Sequence, residues 1–271
     1  MKVQNKVMVV TGGGNGMGRE LVLHLLSKGA RVAAVDINEA AVQETVQLAG
    51  NHQDRVSAHR VDITNREAVA ALPEQVIVRH GTVDGLINNA GIIQPFVRVN
   101  DLDFAAIERV MNVNFYGTLY MTKAFLPHLL ARPEAHIANV SSMGGFLPVP
   151  GQSIYGASKA AVKLLTEGLH SELLPTNVRV TVIFPGAVGT NIAANSGVGD
   201  TLRMENVDRE RAAARILAPA RAAEIIVDGI EKDRYRVMVG ADATFLDRFY
   251  RFSPQRAANF IFRQMQSLLP E

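Results

Sequence analysis

A short valine-rich run, Lys6 to Val10, ends in TGGGNGMGRE and gives way to apolar residues at helical spacing, Leu21, Val22, Leu25 and Leu26, as far as Gly29. A fully apolar strand feeding a glycine turn and then a helix is the opening of a βαβ unit, with the strand buried on both faces. Gly12, Gly16 and Gly18 stand at the junction, with Asn15 and Met17 between them. Glycine permits the tight turn and lets backbone N–H groups approach a pyrophosphate at the helix N-terminus. A second strand, RVAAV, ends in Asp36. An acid at that point accepts hydrogen bonds from the adenosine ribose hydroxyls and repels a 2′-phosphate. Neither Asn15 nor Ile37 supplies a cation for such a phosphate. NAD is therefore expected in preference to NADP.

The alternation continues to the end of the chain. Glu39 to Ala49 has the pattern of a short amphipathic helix, RVSAHRV of a third strand closing on Asp62, and Asn65 to His80 of another helix. Asp62 has two readings, a partner for an adenine amine or an N-terminal cap for the helix after Thr64. VDGLINNAG is a fourth strand running into Asn88, Asn89, Ala90 and Gly91, a small-residue turn where a cofactor can lie against the backbone. Asp101 to Leu130 forms one long helix by its pattern, yet it contains Asn112 and Asn114, poor mid-helix residues. HIANV, VRVTVIF and RYRVMVG are strands five to seven. The expected fold is α/β, a single-domain doubly wound Rossmann sheet of seven mostly parallel strands with helices on both faces. Ligands of such sheets bind at the carboxyl ends of the strands. Gly12, Asp36, Asp62, Asn89 and Ser142 all fall there, as do Pro185, Gly186 and Thr190 after strand six.

One segment, SSMGGFLPVPGQSIYGASKAA from Ser141 to Ala161, carries the chemistry. Tyr155 and Lys159 lie one helical turn apart on one face. An ammonium beside a phenol favours the phenolate, so Lys159 is expected to pull the Tyr155 pKa down. Ser142, just after the strand IANV, can polarise a carbonyl oxygen. A donor, a tunable acid/base and a cation converging on one oxygen suit hydride transfer at a C–O centre.

Composition narrows the classes. The 271 residues are 48% hydrophobic and 20% charged, enough for a sizeable core. The chain has no cysteine, so disulfides and thiolate chemistry are excluded and a reducing, cytoplasmic setting is expected. The first residues, MKVQNKVMVVTGGG, hold too few apolar positions for a signal peptide, and no run approaches the ~20 residues of a membrane span. A formal charge of +2 gives no reason to expect nucleic acid, and the seven scattered histidines show no metal-ligand spacing.

Taken together, TGGGNGMG, Asp36, NNAG at 88–91, NFYG at 114–117, SSMGG at 141–145, YGASK at 155–159 and PGAVGT at 185–190 resemble the short-chain dehydrogenase/reductase family, in its shorter type. The resemblance implies a catalytic tetrad of Asn114, Ser142, Tyr155 and Lys159. Tyr155 is then the base in oxidation and the acid in reduction, and Ser142 orients the substrate oxygen. Lys159 binds the nicotinamide ribose, and Asn114 distorts its helix and holds a relay water. Asn112 competes for that last role, but only Asn114 has the glycine three residues on. The resemblance further implies that Asp62 and Ile63 flank the adenine and that Asn89, Ala90 and Gly91 pass beside the ribose. Pro185, Gly186, Val188 and Thr190 would hold the carboxamide.

Residues 191–217 stand where the family keeps a substrate-covering segment, with Gly197 and Gly199 as candidate hinges; a plain surface loop and helix fits the composition equally. Phe146, Leu147, Val149, Ile93 and Ile192 are candidates for an apolar pocket wall, and Gln94 and Gln152 for polar substrate contacts. Such a pocket suits a bulky or alicyclic secondary alcohol. The 243–271 extension carries Phe245, Leu246, Phe249 and Tyr250, then Phe260, Ile261, Met265, Leu268 and Leu269, with Arg248, Arg251, Arg256 and Arg263 interspersed. Packing on its own domain, over the substrate cleft or against a partner subunit is favoured over contact with a membrane surface. By resemblance, the helices holding residues 101–130 and 153–173 pair subunits into a homodimer or homotetramer.

The expected activity is NAD-dependent interconversion of a secondary alcohol and a ketone. The alternatives are an NADPH-dependent carbonyl reductase, against which Asp36 argues, and a non-catalytic NAD(H)-sensing regulatory protein, against which the intact tetrad argues. A nucleotide-sugar epimerase suits the glycine spacing and the chain length poorly.

Overall fold

The computed structural model describes residues 1–198, 216–266 and 269. The expected hinge at Gly199, most of the 191–217 covering segment and Leu268 lie outside the described residues.

Seven strands form one sheet in the order β3-β2-β1-β4-β5-β6-β7, every neighbouring pair parallel. They are β1 (Val7–Thr11), β2 (Arg31–Asp36), β3 (Val56–Arg60), β4 (Gly85–Asn88), β5 (Ala135–Val140), β6 (Val178–Pro185) and β7 (Arg236–Val239). The order reverses between β1 and β4, the switch point at which such sheets open a crevice. All seven expected strands are present, within a residue or two of their pattern-based limits.

Strand side chains alternate between two cores. Met8 and Val10 face one, with Val32, Ala34 and Ala138. That face is covered by α1 (Gly16–Ser27) through Leu21, Val22, Leu25 and Leu26, and by α8 (Pro219–Glu231) through Ile226, Val227 and Ile230. Val7, Val9, Ala33 and Ile137 face the other. There α3 (Arg66–His80), α5 (Thr118–Leu130) and α6 (Ser153–Leu173) supply Leu72, Val76, Phe125, Leu129 and Leu169. Burial on both faces is why the strands carry continuous valine and isoleucine rather than alternating polarity. A further helix, α2 (Glu39–Leu48), joins β2 to the turn before β3.

The long helix expected over 101–130 runs from Phe104 to Leu130 and changes geometry along the way. A 3-10 turn occupies Val99–Asp101, α4 spans Phe104–Met111, and Asn112–Gly117 is π-helical before α5 begins. A π turn bonds i to i+5 and breaks the ordinary ladder. Thr118 Oγ1 donates to the Asn114 main-chain carbonyl at 2.8 Å. Helix α3 starts at Arg66, and its cap is Asn65, which accepts from the N–H groups of Glu67 and Ala68 at 3.0 Å each. The capping alternative for Asp62 is thereby corrected. Its carboxylate accepts from Thr64 N and Thr64 Oγ1 in a local turn that ends too early to reach the helix.

Beyond β6, α7 (Ile192–Asn195) is a single turn followed by Gly197 with φ +73°. The chain closes with two helices, α9 (Ala241–Phe252) and α10 (Pro254–Met265), separated by Ser253.

Candidate active site

The glycine loop after β1 is held by both flanks. Thr11 Oγ1 accepts from Asn89 N and Ala90 N at 3.0 Å each, and Asn89 Nδ2 donates to Thr11 O. The ends of β1 and β4 are thus locked together. Gly12 and Gly16 have φ of +68° and +51°, which side-chain-bearing residues rarely adopt. A Cβ on Gly18 would stand 1.9 Å from the Gly12 carbonyl oxygen, so only glycine lets the helix start against the loop. The N-cap Asn15 makes no side-chain bond to α1, and no acid lies in the first turn. The first N–H groups of α1 are therefore left for another acceptor. Asn89 Oδ1, buried beside the loop, also has no partner. A glycine cradle, unengaged helix N–H groups and an orphaned amide oxygen fit a dinucleotide pyrophosphate.

Asp36 ends β2 with one oxygen accepting from Gly14 N at 2.9 Å and the other from Asn38 N at 3.0 Å. Both neighbouring cations are engaged elsewhere. Arg19 donates to Gly14 O and pairs with Glu44, and Arg60 pairs with Glu39 at 3.8 Å. Ile37 beside it is exposed. Asp62 is exposed at the end of β3, whereas the Ile63 side chain is buried against Gly117 of the π turn. The Ile63 side chain is committed to that packing, which leaves its backbone as the part able to border an adenine. On the other side of the crevice, a Cβ on Gly16 would sit 3.2 Å from that of Thr190. The loop from Pro185 is tied down by Asp242, whose carboxylate accepts from Ala187 N at 2.7 Å and crowds Gly186, and by a bridge from Val188 to Leu217.

The four expected catalytic side chains meet between β5, α6 and the π turn. Asn114 is fully buried, whereas Asn112 is exposed. Asn114 Oδ1 accepts from Ile92 N at 2.9 Å, and its Nδ2 donates to Ile92 O and to Ser158 Oγ, each at 2.9 Å. Ser158 Oγ donates to Tyr155 O. Lys159 is buried, and its Nζ donates to Val140 O at 3.0 Å. A Cβ on Gly91 would come within 3.0 Å of Lys159 Nζ and 3.2 Å of Asn114 Oδ1, so the absence of a side chain there lets carboxamide and ammonium face one space. Ser142 Oγ accepts from Gly144 N at 3.0 Å and shares the space over Gly144 with the Tyr155 ring, where an added Cβ would meet Tyr155 Cε1 at 3.4 Å and Ser142 Oγ at 3.5 Å.

Electrostatics differ from the sequence expectation. Burial pushes the Tyr155 phenol above its ordinary value, opposed by the Ser142 hydrogen bond, and Lys159 contributes no depression. Burial also lowers the Lys159 pKa to about 8. Desolvation penalises the phenolate and the ammonium alike. The Lys159 ammonium also spends a hydrogen bond on Val140 O rather than on the phenol.

Several wall and contact assignments change. Gln94 is completely buried: its Oε1 accepts from Ile154 N and Tyr155 N, and its Nε2 donates to Gly151 O. Gln152 is buried as well, with Nε2 donating to Gln94 O and Gly151 O. Both amides build the start of α6 instead of facing a substrate. Leu147 is fully buried under the C-terminal helices, packed with Leu246, Ala257 and Ile261. Phe146, Val149, Ile93 and Ile192 remain partly exposed. Met143 and Phe146, flanking the Ser142 turn, pack against the buried cluster of Leu147, Leu246, Ala257 and Ile261, as do Phe249, Tyr250 and Met265 from the tail, so the tail lies over this side of the site. The described part of the covering segment is anchored: Ser196 Oγ accepts from Ile93 N, and Arg109 donates to Ser196 O.

Sequence reasoning missed Thr11, Ile92, Ser141, Ser158 and Asp242. Ser141 Oγ donates to Lys159 O at 2.7 Å and holds α6 against β5. Beneath the site, Asn88 Nδ2 donates to Asn139 Oδ1 and Thr122 Oγ1, and Asn139 Nδ2 donates to Thr166 Oγ1. Buried polar residues on facing apolar elements were the available signal for this network.

Comparison with known proteins agrees with this architecture. The model of the short chain dehydrogenase family matches residues 6–200. A Mycobacterium tuberculosis protein named as the oxidoreductase SadH is 40% identical over 250 residues, covering 90% of this chain and 89% of its own length. Mouse dehydrogenase/reductase SDR family member 7B is 32% identical over 241 residues, covering 88% of this chain and 74% of its own. A Burkholderia phymatum short-chain dehydrogenase/reductase in complex with NAD superposes with a TM-score of 0.83 at 28% identity, covering 94% of this chain and 96% of that one. One from Burkholderia cenocepacia in complex with NADP gives 0.79 at 28% identity, covering 96% and 99%. With the family model matched over most of the chain, and mycobacterial and mammalian relatives aligned along most of its length, this chain belongs to the short-chain dehydrogenase family of oxidoreductases.

Proposed function

We propose that the protein is an NAD-dependent oxidoreductase that interconverts a secondary alcohol and a ketone. The observation that carries this reading is the convergence of Ser142 Oγ and the Tyr155 ring over Gly144, with Lys159 Nζ and Asn114 Oδ1 sharing the space over Gly91. Ser142 Oγ donates to the substrate oxygen and fixes its position. In oxidation Tyr155 Oη takes the hydroxyl proton as hydride leaves the carbinol carbon; in reduction it returns that proton to the carbonyl oxygen. NAD, when bound, is the hydride acceptor and NADH the donor. The backbone of Gly12–Gly18 would hold its pyrophosphate, Asp36 and Asn89–Gly91 its sugars, and Pro185–Thr190 its carboxamide side. Lys159 would hold the second ribose.

Asp36 supports NAD over NADP, because a 2′-phosphate would meet a carboxylate whose neighbouring arginines are already paired. Met143, Phe146, Tyr250 and Met265 make the cover apolar, which supports a bulky or alicyclic substrate. The test is the near-ultraviolet absorbance of reduced nicotinamide across cyclic, terpenoid and steroid secondary alcohols, with NAD and NADP in parallel. Turnover of an alicyclic alcohol with NAD supports the reading. Turnover with NADP alone assigns the coenzyme differently, and NADH binding without turnover on any alcohol favours a regulatory protein.

A further inference from the structure

We infer that the outer face of the C-terminal helix pair docks the protein on an anionic lipid surface. The inner face of this pair is spent on the domain itself, with Ala243, Leu246, Ala257 and Ile261 buried. The outer face is not. Phe252 is 87% exposed, Phe245 58% and Phe260 41%. Exposed phenylalanine is costly, and a contiguous group of such rings marks a contact surface.

The group is contiguous. On α9, Phe245, Arg248 and Phe252 recur at helical spacing along one exposed stripe, with Phe249 at its edge, half-buried against the inner cluster. On α10, Arg256, Phe260 and Arg263 do the same. The rings of Phe245 and Phe249 lie 5.9 Å apart and those of Phe249 and Phe260 6.0 Å apart, which joins the two stripes into one patch.

Charge selects the occupant. From Arg248 through Pro270 the sequence holds four arginines and no acidic residue. Arg251 pairs with Asp247 of α9. Arg248, Arg256 and Arg263 are exposed, and among the described residues no carboxylate pairs with them. A second copy of the chain would bring the same arginines against these three, which opposes self-association through this face. Aromatic rings alternating with unpaired arginines match the headgroup zone of an anionic leaflet, where rings enter the acyl boundary and guanidiniums meet phosphates. No helix among the described residues is long and apolar enough to cross a membrane, so the contact is peripheral. Although the sequence favoured burial of this tail, the structure buries only its inner half. The tail's inner face also packs beside the Ser142 turn, so a docked molecule would hold its apolar cleft near the lipid; that corollary rests on the proposed activity, whereas the docking does not.

The test is co-sedimentation of the full chain with vesicles of phosphatidylcholine alone and of phosphatidylcholine mixed with phosphatidylglycerol. Binding is expected only to the mixed vesicles, and it should weaken with salt. Each unpaired arginine near such a surface changes partitioning about fivefold, so R248Q/R256Q/R263Q should lose about two orders of magnitude. F245S/F252S should lose binding to the mixed vesicles while keeping the wild-type melting temperature and NADH affinity. Absence of binding to mixed vesicles, equal binding to neutral ones, or binding untouched by both variants overturns the inference. A fall in solution mass for F245S/F252S, without vesicle binding by the wild type, would assign the face to a second copy and also overturn it.

Discussion

The side-chain oxygen of Gln94 accepts a hydrogen bond from the backbone N–H of Tyr155 at 3.0 Å, across 61 residues of sequence, and another from Ile154 at 2.8 Å. The helix that presents the Tyr155 phenol is therefore started by an amide from the loop after β4, the loop whose Ile92 also holds Asn114. The two halves of the site are positioned by one segment.

Gln94→Leu removes that acceptor and leaves two part-buried N–H groups without it, a loss of about 1–3 kcal/mol. Tyr155 should shift relative to Ser142, and misplacement of about 1 Å can cost on the order of a hundredfold in rate. Steady-state kinetics should show kcat falling by at least about tenfold with the coenzyme KM unchanged. An equal rise in coenzyme KM with kcat preserved would show that Gln94 does not position Tyr155.

Asp36→Ala should erode coenzyme selectivity. Charge-assisted hydrogen bonds to the ribose are worth about 1.5–3 kcal/mol, so the ratio of kcat/KM for NAD over NADP should fall at least about tenfold. Because Asp36 also accepts from Gly14 N, Asp36→Asn separates loop support from charge: it keeps an acceptor and should lose only part of the selectivity. A ratio unmoved by either substitution would place the coenzyme's adenosine elsewhere.

The pH profile of ketone reduction should report Lys159. Tyr155 is raised and stays protonated through neutral and mildly alkaline pH, whereas the Lys159 ammonium is lost above about 8. The kcat/KM for reduction should be level below that pH and decline above it. Lys159→Arg, whose guanidinium keeps its charge, should move the declining limb to higher pH. A limb at the same pH in the arginine variant would assign it to another group.

Acid should destabilise the fold before most of its carboxylates titrate. His80 is hydrogen-bonded to Ser57 Oγ, and burial, together with the charges of Arg79, His59 and Arg31, lowers its pKa from 6.5 to about 4. The folded state keeps the ring neutral, so its contribution to stability is full above pH 6.5 and is lost as pH falls toward about 4. After solvent screening of the ring's accessible edge, that contribution is about 1–3 kcal/mol. Urea melts across this range should show wild-type stability falling more steeply toward acid pH than that of His80→Gln. Identical slopes in the two proteins would remove His80 from the acid transition.

The sheet and its loops were legible because their signals are local. Continuous valine runs mark strands buried on both faces, and glycines with an acid at strand ends mark the crevice. Asn114 stood out as a poor helix residue, and the helix does change to π geometry across it. What was not legible depends on contacts between distant segments. Gln94 and Gln152 looked like substrate contacts because nothing nearby in sequence shows that Gln94 caps a helix far downstream and that Gln152 braces it. Asp62 looked like a cap because the helix start is set by Asn65, one turn geometry against another. The depression of Tyr155 by Lys159 assumed solvent-like costs for both charges, and burial reverses it. In the tail, spacing revealed an amphipathic pair but not which half would be covered.

The most direct test of the proposed mechanism is Tyr155→Phe, followed by NADH fluorescence titration and by single-turnover reduction of whichever ketone the substrate panel identifies. The phenylalanine keeps the ring and removes only the hydroxyl to which the mechanism assigns the proton transfer. The mechanism predicts NADH affinity within about twofold of wild type and a hydride-transfer rate lower by 10²–10⁴-fold, roughly the range for loss of a general acid. Retained hydride transfer with weakened NADH binding would contradict it.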